Sequence, residues 1–387
     1  MHKDKYVFAQ LVCFLDRNKF NYIVRKYNGD KYVKHFTCWN QLLALMFGQL
    51  YNRESLRDLI VALDAHHSKC YHLGMGRNVS KSSLARANQD RYYHIFEEFA
   101  YYLVNQAREK RVSDIFKLGG NVYAFDSTTI DLCLSVFWWA KFRKKKGGIK
   151  VHTLYDVETQ IPAFFHITDA SVHDSTAMKE IPYESGSYYI FDRAYNHFKM
   201  LYKIHHIGAF FVVRAKKNLQ YKPVNWKRRL PVNMLSDAMI ELTGFYPRQY
   251  YPAHLRLVRY WDVEQKRELV FLTNAIHISA LQVAELYKNR WQVELFFKWL
   301  KQHLKIKKFW GTTENAVRIQ IYAAISTYCL VAIVQKDMQL DRSTYEVLQI
   351  LSISLTDKTH LRDLFDKAKF QNVKDRFRLN EPNLFNF

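Results

Sequence analysis

The chain has 387 residues, room for two or three domains, and 49% of them are hydrophobic, which excludes a disordered protein as a whole. Lys and Arg exceed Asp and Glu far enough to give a formal net charge of +22. Self-repulsion of that size calls for a polyanion that neutralises it; nucleic acid is the stronger candidate and an anionic membrane surface the weaker. Five scattered cysteines without a CxxC pair indicate neither a zinc site nor a disulfide framework. The opening "MHKDKYVFAQ" has no apolar run of the signal-peptide type. The longest apolar stretch, "IYAAISTYCLVAIV" (Ile321–Val334), is too short and interrupted to span a membrane and reads as a buried core helix. A cytoplasmic protein without a membrane partner is expected.

In chain order, residues 1–118 read as helical, with 3.6-residue periodicity in "CWNQLLALMFGQLYNRESLRDLIVAL" and "RYYHIFEEFAYYLVNQAREK". Between these, Ser80 and Ser82 are candidate N-caps of a short basic helix. Short helix, turn and basic helix resemble a helix-turn-helix reader in outline, with a solvated connector as the equal alternative. From Gly120 the texture changes to strands. "NVYAFD" is a short apolar run ending on Asp126, and "GIKVHTLYDV" and "IPAFFHITD" flank "ETQ" as a hairpin. "SYYIFD" ends on Asp192 and is followed by the helix-like "NHFKMLYKIHHIG" and the strand "AFFVVRA". That order matches the core of a ribonuclease-H-like α/β fold. A second strand-rich stretch covers about 216–274, and Ser279 is a plausible N-cap for the helix that follows. That helix is read as containing "YKNRWQVELFFKWLKQHL" (Tyr287–Leu304), with further helices to Phe387.

At about 100° per residue, Tyr287, Arg290, Glu294 and Lys301 fall within a stripe roughly 60° wide. Phe296, Val293, Leu300, Leu295 and Trp299 fill the rest of the circumference. A carboxylate on a helix with so little solvent-facing arc is costly unless paired or metal-bound. Arg290 could simply be the ion-pair partner of Glu294, which leaves Tyr287 and Lys301 unexplained. Asp126 and Asp192 end strands, where side chains face a crevice. With Glu294 they offer three hard oxygen ligands, a set that suits Mg²⁺. Either aspartate alone is as readily a turn former or a cap. Asp131, Asp156, Asp169 and Asp174 also lie nearby in sequence. Asp174 is a candidate cap for the next helix, and His173 beside it is either structural or an assistant at the metal. The basic run "KFRKKKGGIK" (Lys141–Lys150) reads as a solvated loop or as a phosphate contact, its glycines permitting close backbone approach.

The spacing Y-x2-R-x3-E-x6-K at Tyr287, Arg290, Glu294 and Lys301 resembles the signature of insertion-sequence DDE transposases of the IS-four type (Tn-five transposase-like). "AFDSTTI" around Asp126, "KGGIKVHTLYD", and "FDRAY" around Asp192 extend the likeness over about residues 120–310. Ala194 departs from the glycine that many members carry there. The resemblance implies that Asp126, Asp192 and Glu294 bind catalytic Mg²⁺, with Mn²⁺ able to substitute. It implies that Tyr287, Arg290 and Lys301 contact phosphates beside the scissile bond, joined by Arg193 and by Lys145, Lys146 and Lys150 of the basic run. A tryptophan in the strand-rich stretch would stack on a flipped base; Trp226 and Trp261 are the candidates, either of which could instead be a core residue.

The implied layout is a helical DNA-binding domain at 1–118 and a ribonuclease-H-like catalytic core at 119–310. A β-rich insertion at about 216–274 interrupts the core, and a helical region follows at 311–387. The implied activity is cut-and-paste cleavage and strand transfer at transposon ends through a hairpin. Terminal inverted repeats and target DNA would be the partners, held by a homodimer in a synaptic complex at the bacterial nucleoid. Two alternatives remain: a non-catalytic DNA-binding protein with a decayed transposase fold, and a ribonuclease-H-like nuclease. Intact acids argue against the first, and the signature and long insertion against the second.

Overall fold

The computed structural model describes residues 5–77, 79–111, 115–143, 146–303, 309–342 and 344–366, with the side chains of 141–143, 146, 302, 303 and 345 left out. The chain opens with six helices: α1 (Val7–Val12), α2 (Arg17–Lys26), α3 (Cys38–Leu50), α4 (Leu56–Ala65), α5 (Lys81–Asp90) and α6 (His94–Lys110). Local chemistry sets where several of them start. Asp16, Thr37, Ser55 and Ser80 each accept a backbone N–H from the residue three positions on, satisfying a donor the helix itself leaves open. Ser80, not Ser82, is therefore the cap of the basic helix. Residues 66–80 separate α4 from α5, too long a link for the tight turn of a helix-turn-helix. That outline is not met.

The middle of the chain supplies β1 (Val122–Leu132), β2 (Lys141–Arg143), β3 (Lys146–Asp156), β4 (Ile161–Asp169), α7 (Asp174–Ala177), β5 (Tyr188–Phe191), α8 (Phe198–His206) and β6 (Phe210–Arg214). Then come β7 (Tyr221–Trp226), β8 (Met234–Leu242), α9 (Phe245–Tyr250), β9 (Leu255–Asp262) and β10 (Arg267–Thr273). The chain continues with α10 (Ala280–Lys288), α11 (Trp291–His303), α12 (Glu314–Asp337), α13 (Thr344–Ser354) and α14 (Leu361–Phe365). All the described strands join one sheet in the order β2-β3-β1-β5-β6-β10-β9-β8-β7, with β4 on β3. β1 runs antiparallel to β3 and parallel to β5, β5 runs parallel to β6, and β6 runs antiparallel to β10. The second strand-rich stretch thus prolongs the first sheet edge to edge.

Alternation along the strands divides the core in two. Ala124 of β1 packs with the helices α3, α6, α10, α11 and α12, whereas Phe125 faces the layer of α8. In α12, 94% of the most apolar stretch is buried inside the protein, in keeping with a core helix. The β3–β4 hairpin forms as its sequence predicts. Asp156 accepts the N–H groups of Glu158 and Thr159 at 3.1 Å each and is held from behind by Arg108 at 3.0 Å, so this acid shapes the turn.

Further expectations fail. Asp126 is not at a strand end, because β1 continues against β3 as far as Leu132 opposite Gly147. Its parallel pairing with β5 stops at Phe125↔Phe191, so Asp126 is the first β1 residue without that neighbour. Nor is there one helix through Tyr287 and Glu294. Asn289 ends α10 by turning its side-chain amide onto the Glu285 carbonyl at 2.9 Å and accepting from Gln292 at 2.9 Å. Asparagine competes in this way with the backbone ladder, and α11 restarts at Trp291. α11 is also not buried on all sides: Trp291, Glu294 and Leu295 are exposed.

Candidate active site

The paired part of β1 and the end of β5 lie side by side, which brings Asp126 and Asp192 to the same edge of the sheet. Asp192 caps a single 3-10 turn, Arg193–Tyr195. The joint between α10 and α11 packs over this edge. Tyr287, at the end of α10, donates its hydroxyl to Asp192 Oδ1 at 3.0 Å. Arg290, in the joint itself, donates Nη1 to Asp126 Oδ2 at 2.9 Å and its other terminal nitrogen to Glu294 in the first turn of α11. Lys301 Nζ, two turns further on, donates to the Thr129 carbonyl of β1 at 2.8 Å. Tyr287 and Arg290 therefore reach the acids at the break between the helices, whereas Lys301 reaches the backbone of β1.

Electrostatics agree with this geometry. Burial pushes the Asp126 carboxyl up to about 6, against the pull of Arg290 and of the Ser127 N–H. The negative charges of Glu294 and Asp192 add to the rise. Desolvation opposes the charge on Arg290, yet Asp126, Tyr287 and Glu294 together hold its pKa above the ordinary guanidinium value. Arg290 Nε is buried without a partner. Burial and the Asp192 charge raise the Tyr287 phenol, keeping it a donor.

Three carboxylates make a hard oxygen set of the kind divalent cations take. Among the described residues, however, no group of three or more His, Cys, Asp and Glu side chains is drawn together closely enough to hold an ion. The Arg290 guanidinium stands between Asp126 and Glu294 and supplies the positive charge there. The donor chemistry fits a divalent cation; the present spacing is that of an arginine-bridged pair.

The remaining candidates divide. Lys150 donates to the Val172 carbonyl at 2.7 Å and pairs with Asp174 at 3.1 Å, so its amine is used inside the protein. Gly147 and Gly148 admit protein backbone: a Cβ on Gly147 would stand 3.1 Å from the Ala140 and Leu132 carbonyl oxygens, and one on Gly148 3.3 Å from that of Ile130. Lys145 lies outside the described residues, and for Lys146 only the backbone is described. Arg193 lines a basic cleft of about 450 Å³. Trp226 and Trp261 are 62% and 40% exposed, so neither is a core residue.

His173, not Asp174, caps α7, accepting the Ser175 N–H at 3.3 Å. Asp174 instead accepts the Ser127 hydroxyl at 2.8 Å, while the Ser127 N–H donates to Asp126 at 2.8 Å. This Lys150–Asp174–Ser127 chain steadies β1 beside Asp126 and was missed in the sequence, where its only signal was the serine directly after Asp126. Tyr195, fully buried beside the same acids, was visible only as the last residue of "FDRAY" and was given no role.

Residues 117–330 match the family described as a transposase DDE domain, and residues 3–76 match a domain of unknown function, DUF4372. The chain is similar to "Putative transposase y4zB" of Sinorhizobium fredii, 36% identical over 62% of this chain and 67% of that protein. It is similar also to "Probable transposase for insertion sequence element IS5377" of Geobacillus stearothermophilus, 32% identical over 53% of this chain and 54% of the relative. "Putative transposase for insertion sequence element IS4SA" of Synechocystis is 23% identical over 73% of this chain and 80% of its own length. A family match over more than half of the chain, enclosing Asp126, Asp192 and Glu294, makes this protein a member of the DDE transposase family.

Proposed function

We propose that this insertion-sequence transposase is of the IS-four type and cuts and joins DNA at the ends of its element with Asp126, Asp192 and Glu294 as metal-binding acids. The observation that carries the reading is the convergence of these acids, from β1, from the end of β5 and from α11, on Arg290 and Tyr287. Divalent cations, Mg²⁺ with Mn²⁺ as substitute, would supply activation of the attacking hydroxyl and stabilisation of the leaving oxygen.

This chain's own residues do the rest. Arg290 and Tyr287 are donors already aimed at the anionic edge, and exchanging an acid for a phosphate oxygen costs neither its hydrogen bond. Lys301 fixes α11 on β1 through the Thr129 carbonyl and adds positive charge beside the acids. Arg193 extends the positive field past Asp192. The five strands β4-β3-β1-β5-β6 have the order and directions of a ribonuclease-H-like core, which supports that fold. Residues 1–118 would hold the terminal inverted repeats, 311–387 would form the helical C-terminal region, and two chains would bring both ends together. A hairpin would form when a freed 3′-hydroxyl attacks the opposite strand. Such an enzyme works at the nucleoid in the cytoplasm.

The test is incubation of the purified protein with duplex carrying the element's terminal repeat and Mg²⁺. Nicking, then a hairpin, is expected from the wild type; Asp126→Asn, Asp192→Asn and Glu294→Gln should each lose about 10³-fold in cleavage while still binding the end. Full cleavage by any of the three defeats the assignment.

A further inference from the structure

On the face of the sheet that carries α8 and α9, two clefts meet. The first, of about 450 Å³, is lined by Arg193, Arg214, Lys216, Lys217 and Arg259 around Tyr221. Glu268 is the single carboxylate of that lining, and it is bonded to Arg259. The second, of about 580 Å³, shares Lys216 and Leu219 with the first and runs on to α9. There Phe245, Tyr246 and Tyr250 are 78%, 65% and 43% exposed. The rings of Tyr246 and Tyr250 are nearly parallel, 14° apart at 6.4 Å, and Phe245 meets Tyr246 edge-on at 5.2 Å.

We infer that this trough holds a single-stranded stretch of DNA, its backbone on Arg193, Arg214, Lys216 and Lys217 and its bases on Phe245, Tyr246 and Tyr250. The inference rests on the transposase reading and names the form of DNA taken next to that site. Cations in a groove followed by solvent-facing aromatic rings are what an unpaired strand needs, since it presents both phosphates and free base faces. A duplex presents only the phosphates, because its base faces are covered by their neighbours. Three large rings grouped on a helix of six residues also expose apolar surface that a flat, apolar partner would cover. Arg193 follows Asp192 directly, so the trough begins where strands part at the cut. Neither Trp226 nor Trp261 lines either cleft.

The experiment uses the full chain and two probes: a fluorescent oligothymidine of about 15 nucleotides and a labelled duplex of the terminal repeat, both followed by anisotropy at one salt concentration. Phe245→Leu with Tyr246→Leu keeps apolar bulk but removes the rings, and Lys216→Glu with Lys217→Glu reverses the charge. Each double variant should bind the oligothymidine about tenfold more weakly, with duplex affinity and thermal midpoint unchanged. A 2-aminopurine in the oligonucleotide should be quenched by the wild type and not by the leucine variant. Wild-type affinity for the single strand in both variants overturns the inference, and so does a parallel loss of duplex binding. Failure of the wild type to cut repeat DNA would count against the proposed reaction alone, because the trough is read by binding.

Discussion

The guanidinium of Arg290 bridges Asp126 and Glu294, 2.9 Å from the former, so two of the acids proposed for catalysis share one positive charge. Removing it should act in opposite directions on two measurements. Arg290→Gln should lose about 10²–10³-fold in cleavage rate, the usual effect of deleting one preorganised donor at developing charge. The same variant should bind Mn²⁺ more tightly than wild type when DNA is absent, because no cation competes for the acids. Calorimetric titration of Mn²⁺ checks this, and equal or weaker affinity would mean that Arg290 helps to assemble the acids.

Lys150 offers a second separation of roles. Its amine is spent on Val172 and Asp174, so Lys150→Met should lower stability by about 1–3 kcal/mol. The slope of log affinity against log salt for DNA should stay as in wild type, whereas loss of a phosphate contact would reduce it by about 1. Denaturant titration and salt-dependent binding provide the two readings.

His152 of β3 stands opposite Ser127 of β1 and is wholly buried. Burial, opposed by the Asp174 charge and reinforced by His166 and Lys150, pushes its pKa down to about 4. A histidine with a depressed folded pKa contributes stability that is present above its unfolded value, about 6.5, and is lost as pH falls through the folded value. Between pH 6.5 and 4 the wild type should therefore lose about 3 kcal/mol through this residue. Chemical denaturation across that range, compared with His152→Gln, isolates the effect; identical slopes for the two proteins would contradict it.

Arg256 and Asp237 form a buried bidentate pair at 2.7 and 2.8 Å, and the same guanidinium donates to the Ala275 and Ile278 carbonyls at 3.1 and 2.6 Å. Through those carbonyls it ties β9 to the segment that leads into α10. Arg256→Ala should cost about 1–3 kcal/mol, because the Ala275 and Ile278 carbonyls lose their donor and Asp237 keeps only Lys227, 3.1 Å away. A calorimetric melt reads the loss directly.

The sequence made the hairpin, the apolar core helix and the three acids legible, since period-2 and 3.6-residue patterns report burial and the acids sit in short motifs. It could not reveal that β1 outlasts its partner β5, because strand ends are fixed by pairing with a distant segment. Asn289 was the local sign that the helix breaks, but apolar residues on both sides continue the helical period and hide it. Ser127, Asp174 and Lys150 form their chain across β1, β3 and the start of α7, a relation that exists only once the strands are in register. The exposure of Trp226 and Trp261 is likewise invisible to composition, which treats any tryptophan in a strand-rich stretch as core.

The chain leaves the sheet's centre at β6 and re-enters it at β10, the strand hydrogen-bonded to the one it left. The excursion between them is a closed detour whose exit and entrance are neighbours. The outermost strand β7 can therefore change freely, while β8 and β9 keep Asp237 and Arg256 on the segment that leads into α10. An element built this way can reshape the outer part of the detour to suit new DNA and leave Asp126, Asp192 and Glu294 in place.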